Sequence, residues 1–238
     1  MVKIVGSKKL KRQMAPSFWG ITRKNKRFVV TVKPGSHKRD FSIPTAVFLR
    51  DTLKIVTELR EAKFAIYTGK VSVDGAKIKS LHHGIGLMDV VELEGVKEIY
   101  RLVPINGILL KPLIINDSEK TKKLVIVKSK TTIKDGKTQI GFNDGRTLID
   151  ETEVNVGDTC LMQIPEQKIL EVIKLEKDNN GLIIQGTNAG EIGKINEIKE
   201  GTFVLPKRVN ITIGDRQIEI PSTLVMPVGK GEPPIQIR

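Results

Sequence analysis

The sequence has one cysteine, Cys160, and one tryptophan, Trp19, and aromatic residues make up only 4% of its 238 positions. A lone thiol cannot form an internal disulfide, and no Cys/His cluster has the spacing that holds zinc, so a reducing cytoplasm is expected and no metal is. No stretch reaches the ~18 consecutive apolar residues that a membrane helix needs. The first twelve residues carry charge with no apolar run behind it, so neither a membrane-spanning nor a secreted chain is expected. There is no Gly-Lys-Ser/Thr phosphate loop, and Gly84-Ile85-Gly86 lacks both the third glycine and the strand-to-helix setting of a dinucleotide site. A nucleotide cofactor is therefore not expected.

Acidic residues are missing from a long segment. Before Asp40 there are twelve Lys and Arg and no acid, whereas residues 40 to 238 hold 28 basic and 27 acidic side chains, so the +13 net charge sits almost wholly in an N-terminal arm. Such density marks a polyphosphate partner, because each neutralised phosphate releases condensed counterions. An acidic membrane surface would suit the charge, but Pro16, Gly20, Pro34 and Gly35 interrupt any amphipathic helix that could lie on it. Nucleic acid is favoured. The arm's apolar residues, Met14, Phe18, Trp19, Ile21, Phe28, Val29, Val30 and Val32, are few for a core, which points to an arm that orders on a partner. Trp19 can stack on RNA or dock on the following domain; both readings stay open.

From Ser42 the pattern changes. Ala46, Leu49, Leu53 and Val56 step by three or four behind Pro44, and Leu59, Ala62 and Ile66 do the same behind Thr57, so the periodicity predicts two amphipathic helices. Residues 70–73 then alternate into Asp74-Gly75, a two-residue hairpin signal, and 88–93 read as another strand. Beyond Gly95 β-branched segments dominate, separated by Asn106-Gly107, Asp135-Gly136 and Asp144-Gly145. The expected fold is a multi-domain α+β chain. It comprises a basic arm (1–41), two helices plus a small sheet (42–94), a central β domain (95–176), a further β series (177–226) and a tail (227–238).

Three stretches resemble known RNA-binding modules. Leu49-Arg50-Asp51, residues 58–77 and Gly86 to Leu93 are similar to the small domain first known from bacterial ribosomal protein S-four, whose helix pair presents basic side chains to structured RNA. Gly186-Thr-Asn-Ala-Gly190-Glu-Ile-Gly193 resembles the KOW motif of Src-homology-three-like barrels. Together with Gly6 to Arg12, residues 15–19, Pro34 to Lys38, Asp144-Gly145-Arg146 and Val156 to Thr159, the order resembles the archaeal and eukaryotic small-subunit ribosomal family called S-four-e. These resemblances imply that 42–94 is an RNA-binding domain and 177–226 a small C-terminal β-barrel. The segment Ile220 to Pro227 departs from that family's usual pattern.

The resemblance implies a ribosome-bound, cytoplasmic, non-catalytic protein whose partners are small-subunit ribosomal RNA and neighbouring ribosomal proteins, with no cofactor, membrane or small-molecule substrate. The RNA-binding residues then expected are Lys3, Lys8, Lys9, Lys11, Arg12, Trp19, Arg23, Lys24, Lys26, Arg27, Lys33, His37, Lys38 and Arg39 of the arm. Arg50, Lys54, Lys63 and Lys70 join them from the helix pair. The alternatives are an RNA-modifying enzyme guided by the same module, or a KOW-class transcription or translation factor.

Candidate catalytic groups are weak. Adjacent His82 and His83 point apart on an extended segment, Cys160 sits in an apolar strand as a small hydrophobe, and Asp144-Gly145 is first of all a turn. Lys120, Lys122 and Lys123 read equally as phosphate contacts or as solvated surface beside Asp117 and Glu119, and are not assigned to the site.

Overall fold

The structure, a computed structural model, describes residues 9–133 and 136–238, so Lys3, Lys8 and Asp135 of the expected turn lie outside the described residues. Strands dominate it. Three five-stranded antiparallel sheets follow one another along the chain, with two short two-stranded ribbons beside them.

The first sheet has the order Ala76–Lys77, Val71–Val73, Val90–Leu93, Ile99–Ile105, Ile108–Ile115. Its last two strands form a hairpin closed by Asn106-Gly107, where both residues take positive φ (51° and 76°), as such two-residue turns require. The expected break at residue 95 falls inside this sheet, because Val90 and Val91 pair with Arg101 and Tyr100. The second sheet, Thr147–Ile149, Thr138–Phe142, Lys122–Thr132, Thr159–Gln163, Lys168–Ile173, encloses its own core of Val125, Val127, Ile140, Phe142, Val154, Cys160 and Met162.

The third sheet has the order Arg216–Pro221, Arg208–Ile213, Ile192–Lys199, Asn180–Ile183, Val225–Gly229. Its strand order is open, so the small barrel expected there is a curved sheet. The KOW-like loop turns back on the first sheet: the Gly107 amide donates to Ala189 O at 2.8 Å, and a Cβ at Gly190 would stand 2.5 Å from Pro104 O. Only glycine permits that approach.

The α+β expectation does not hold, since strands dominate and the first of the two expected helices is short, α-helical for one turn and π-helical for the rest. Ile43–Pro44 is a strand paired with Gly84–Ile85, only Thr45–Val47 is α-helical, and Phe48–Thr52 makes a π-turn. Leu53 N–H donates to Phe48 O, five residues back, and Lys54 at φ 57° then ends the segment. The short helical segment still buries Ala46 and Leu49 on its inner face. Leu59–Tyr67 is a true helix of nine residues, opened by a capping box in which Glu61 accepts from the Thr57 and Glu58 amides. The chain is therefore mainly β.

The arm and the tail are part of the body. Ala15, Trp19 and Val32 join the main core with Ile43, Phe48, Ile66, Ile85 and Leu102, and Ile235 and Ile237 join it from the C-terminus. Fully buried Arg101 holds that end, donating to Gln236 O at 3.0 Å, to Glu119 Oε2 at 2.8 Å and to Lys122 O at 3.0 Å.

Candidate nucleic-acid interface

The expected RNA-binding side chains divide into an exposed set and a buried set. On the exposed side, Leu10–Lys11 pairs with Phe28–Val29, and the Arg12 amide donates to Arg27 O at 2.9 Å, closing the base of a long loop. Lys9 and Arg27 lie over the Phe28 ring at 5.5 and 5.3 Å from its centroid. Arg23 is pinned by hydrogen bonds to Gln13 O (3.0 Å) and Ala15 O (3.4 Å). With Lys11, Gln13, Lys24, Asn25, Lys26 and Arg27 it lines a cleft of about 350 Å³. Lys33, Lys38, Arg39 and Lys54 are also exposed.

The helix Leu59–Tyr67 adds a second exposed face. It buries Ala62 and Ile66 and turns Lys63, Phe64 and Tyr67 outward; Lys63 Nζ lies 5.7 Å from the Tyr67 ring centroid and Lys70 Nζ 5.9 Å from that of Phe64. Phe64 and Tyr67 were not among the expected residues. Their spacing of three, off the Ala62/Ile66 stripe, was the available signal. Cations held over exposed rings make a surface suited to phosphates and unstacked bases.

The buried set does other work. Trp19 is 1% exposed and its Nε1–H donates to Ser42 O at 2.9 Å, so its ring is core and offers no face to a base. Arg12 is buried 3.8 Å from Asp51, which also takes Arg50 at 2.6 Å. His37 is buried against Asp89, with Nε2 at 2.9 Å from Oδ2, in space left by Gly86, where a Cβ would stand 2.3 Å from the imidazole.

Asp89 belongs to a buried charge cluster that joins the arm and the first two sheets. Lys123 Nζ, from the second sheet, lies 2.6 Å from Asp74, 2.5 Å from Asp89 and 3.3 Å from Asp144; Arg146 reaches Asp74 at 2.9 Å. Lys123 is 1% exposed, so it is neither a phosphate contact nor a solvated side chain. Burial alone would lower its pKa, but Asp89, Asp74 and Asp144 outweigh that and raise it above the ordinary lysine value. Burial would raise Asp89, but Lys123 and His37 hold its carboxyl well below the usual range. A cavity of about 380 Å³ opens beside the cluster. Each carboxylate there is committed to a cation, so the group is a structural lock and supplies no free acid or base.

Residues 96–169 match the family described as "Ribosomal family S4e", and residues 5–40 match the "RS4NT (NUC023) domain". The "Small ribosomal subunit protein eS4" of Methanothermobacter thermautotrophicus is 37% identical over 98% of this chain and 90% of its own length. The protein of that name from Ignicoccus hospitalis is 33% identical over 100% of this chain and 98% of its own. The chain belongs to the ribosomal S4e family.

A solved S4e structure agrees. The crystal structure of the 30S ribosomal protein S4e from Thermoplasma acidophilum superposes with a TM-score of 0.68 at 29% identity, covering 80% of this chain and 96% of that one. S4e proteins are structural components and not enzymes. No metal-binding group of three or more His, Cys, Asp or Glu occurs among the described residues. No helix among them is long and apolar enough to cross a membrane.

Proposed function

We propose that this S4e protein is a structural component of the small ribosomal subunit that binds ribosomal RNA through two exposed faces, the ribbon of its arm and the Lys63/Lys70 side of the helix Leu59–Tyr67. The observation that carries this reading is the sorting of charge. In the body 28 basic side chains are balanced by 27 acidic ones and the buried cations Lys123 and Arg101 are paired, while Lys11, Arg23, Lys24, Lys26, Arg27, Lys33 and Lys38 of the acid-free arm stand exposed with no carboxylate within ion-pair distance among the described residues. Relatives that match along nearly the whole chain carry a small-subunit name. Residence on cytoplasmic ribosomes beside neighbouring ribosomal proteins follows from the same reading.

The test has two parts. In a sucrose gradient of cell lysate the protein sediments with the small subunit, and with purified small-subunit RNA its affinity depends steeply on salt. If about eight phosphates are neutralised, binding falls roughly 10³- to 10⁵-fold between 50 and 200 mM salt. Protein at the top of the gradient, together with a flat salt response, would refute the proposal.

A further inference from the structure

The arm borders two concave sites whose charge accounting is opposite. At the cavity beside His37, three carboxylates, Asp74, Asp89 and Asp144, meet Lys123 and Arg146 at 2.5 to 3.6 Å, so each charge of the lining is paired from within. The cleft of about 350 Å³ under the ribbon is lined by five cations, Lys11, Arg23, Lys24, Lys26 and Arg27, and two amides, Gln13 and Asn25, with no carboxylate.

A flexible tail would splay five like charges apart. Here the backbone prevents it: Lys11 pairs with Phe28, the Arg12 amide bonds to Arg27 O, and Trp19 anchors the loop to Ser42 O. Arg23 spends one Nη1–H and one Nη2–H on the carbonyls of Gln13 and Ala15, which leaves three of the five donors of a guanidinium. The result is a concave, preformed array of donors and positive charge with no carboxylate in its lining.

We propose that this cleft is a discrete site for one tetrahedral phosphate group, supplied by the RNA backbone, and not merely a stretch of diffuse charge. The assignment rests on the RNA-binding reading above. A phosphate offers acceptors and negative charge, which suits a lining of five cations and two side-chain amides that can each donate. Free inorganic phosphate has the same chemistry, so the experiment separates the two sources.

The isotope-labelled full chain is titrated with sodium phosphate and, at matched ionic strength, with sodium chloride, following the amide resonances of residues 11–27. Phosphate should give saturable shifts confined to the cleft, and chloride none. Asn25→Asp puts a carboxylate in the lining without touching the bonds that pin Arg23. Lys168→Gln changes the net charge by the same amount on the second sheet, away from both RNA-binding faces. Asn25→Asp should abolish the phosphate shifts and weaken binding to small-subunit RNA about tenfold, with Lys168→Gln several times milder. Unsaturable shifts, or equal loss of RNA affinity in the two variants, overturn the site even in a chain that binds RNA well. Saturable shifts with RNA affinity unchanged in Asn25→Asp overturn the backbone as the source. RNA binding absent altogether, with the shifts retained, overturns the reading on which the source rests and not the cleft's affinity for phosphate.

Discussion

Lys123 and Asp89 face each other at 2.5 Å with 1% and 2% of their side chains exposed, thirty-four residues apart in sequence, Lys123 on a strand of the second sheet and Asp89 just ahead of the strand Val90–Leu93 of the first. Each charge is tolerated inside because it is paired, Lys123 also with Asp74 and Asp144 and Asp89 also with His37. Lys123→Met removes the cation and leaves Asp74, Asp89 and Asp144 buried with Arg146 and His37 as partners. Breaking a buried pair from one side costs about 3–5 kcal/mol, so the variant should melt far below the parent or fail to fold. A melting temperature within a degree or two of the parent would show that the lock contributes nothing.

The same pair gives a pH profile whose sign can be worked out. The Asp89 pKa is lower in the folded chain than in the unfolded one, so its contribution is complete above the unfolded carboxylate value and is lost as pH falls through and below about 4. The Lys123 pKa is higher when folded, so its contribution is complete below the unfolded lysine value and is lost as pH rises past about 10. Urea melts taken across pH should show stability falling at both ends, and Asp89→Asn should flatten the acid limb. An acid limb unchanged in that variant would assign the acid loss to other carboxylates.

The arm is part of the core, which changes what truncation does. Trp19, at 1% exposure, is a large side chain sealing the body, and replacing such a residue with alanine costs about 3–5 kcal/mol. Trp19→Ala, or removal of residues 1 to 39, should lower the melting temperature sharply and loosen the Ile43–Pro44 ribbon. As the only tryptophan, Trp19 also reports on itself: its emission should be blue-shifted in the native chain and move to longer wavelength in one step with global unfolding. Water-like emission under native conditions would show an undocked arm.

Cys160 is buried in the second sheet, and burial, with Asp158 and Asp150 nearby, pushes its thiol up to about 12. At pH 8 a thiol reagent should leave the native chain unmodified and label one equivalent in denaturant. Rapid labelling without denaturant would mean that the Lys122–Thr132/Thr159–Gln163 pairing opens readily.

Most of the strands, and the turns between them, were legible because their signals are local. Asp74-Gly75 and Asn106-Gly107 both adopt the left-handed pairs their hairpins require, and the cation-rich arm is a matter of counting. What was not legible depends on distance. Nothing near Lys123 in sequence reveals its three carboxylate partners, the nearest of them 21 residues away. The Ala46/Leu49 spacing predicted a longer helix than the one formed, because periodicity does not reveal the change from α over Thr45–Val47 to π over Phe48–Thr52 or the positive φ of Lys54 that ends the segment. The arm misled for a similar reason. Its few apolar residues cannot form a core, yet Ala15, Trp19 and Val32 suffice to complete one that the body supplies.

Lys63→Glu separates binding from folding on the helix Leu59–Tyr67. Lys63 is exposed, and its ammonium lies 5.7 Å from the Tyr67 ring centroid, a cation–π pair worth about 0.5–1 kcal/mol at an exposed site. Its neighbour Ala62 and residue Ile66 face the core, so the backbone position is fixed by packing that the substitution leaves alone. Stability should therefore fall by no more than about 1 kcal/mol. At the RNA, a phosphate attraction becomes a repulsion, and the dependence of log affinity on log salt should become shallower by about one unit, the share of a single neutralised phosphate. Tyr67→Phe keeps a ring under Lys63 and should bind nearly as the parent does, which guards against reading a local packing defect as a binding defect. RNA affinity unchanged in Lys63→Glu would place this helix against solvent or a neighbouring protein and leave the arm as the sole RNA-binding face.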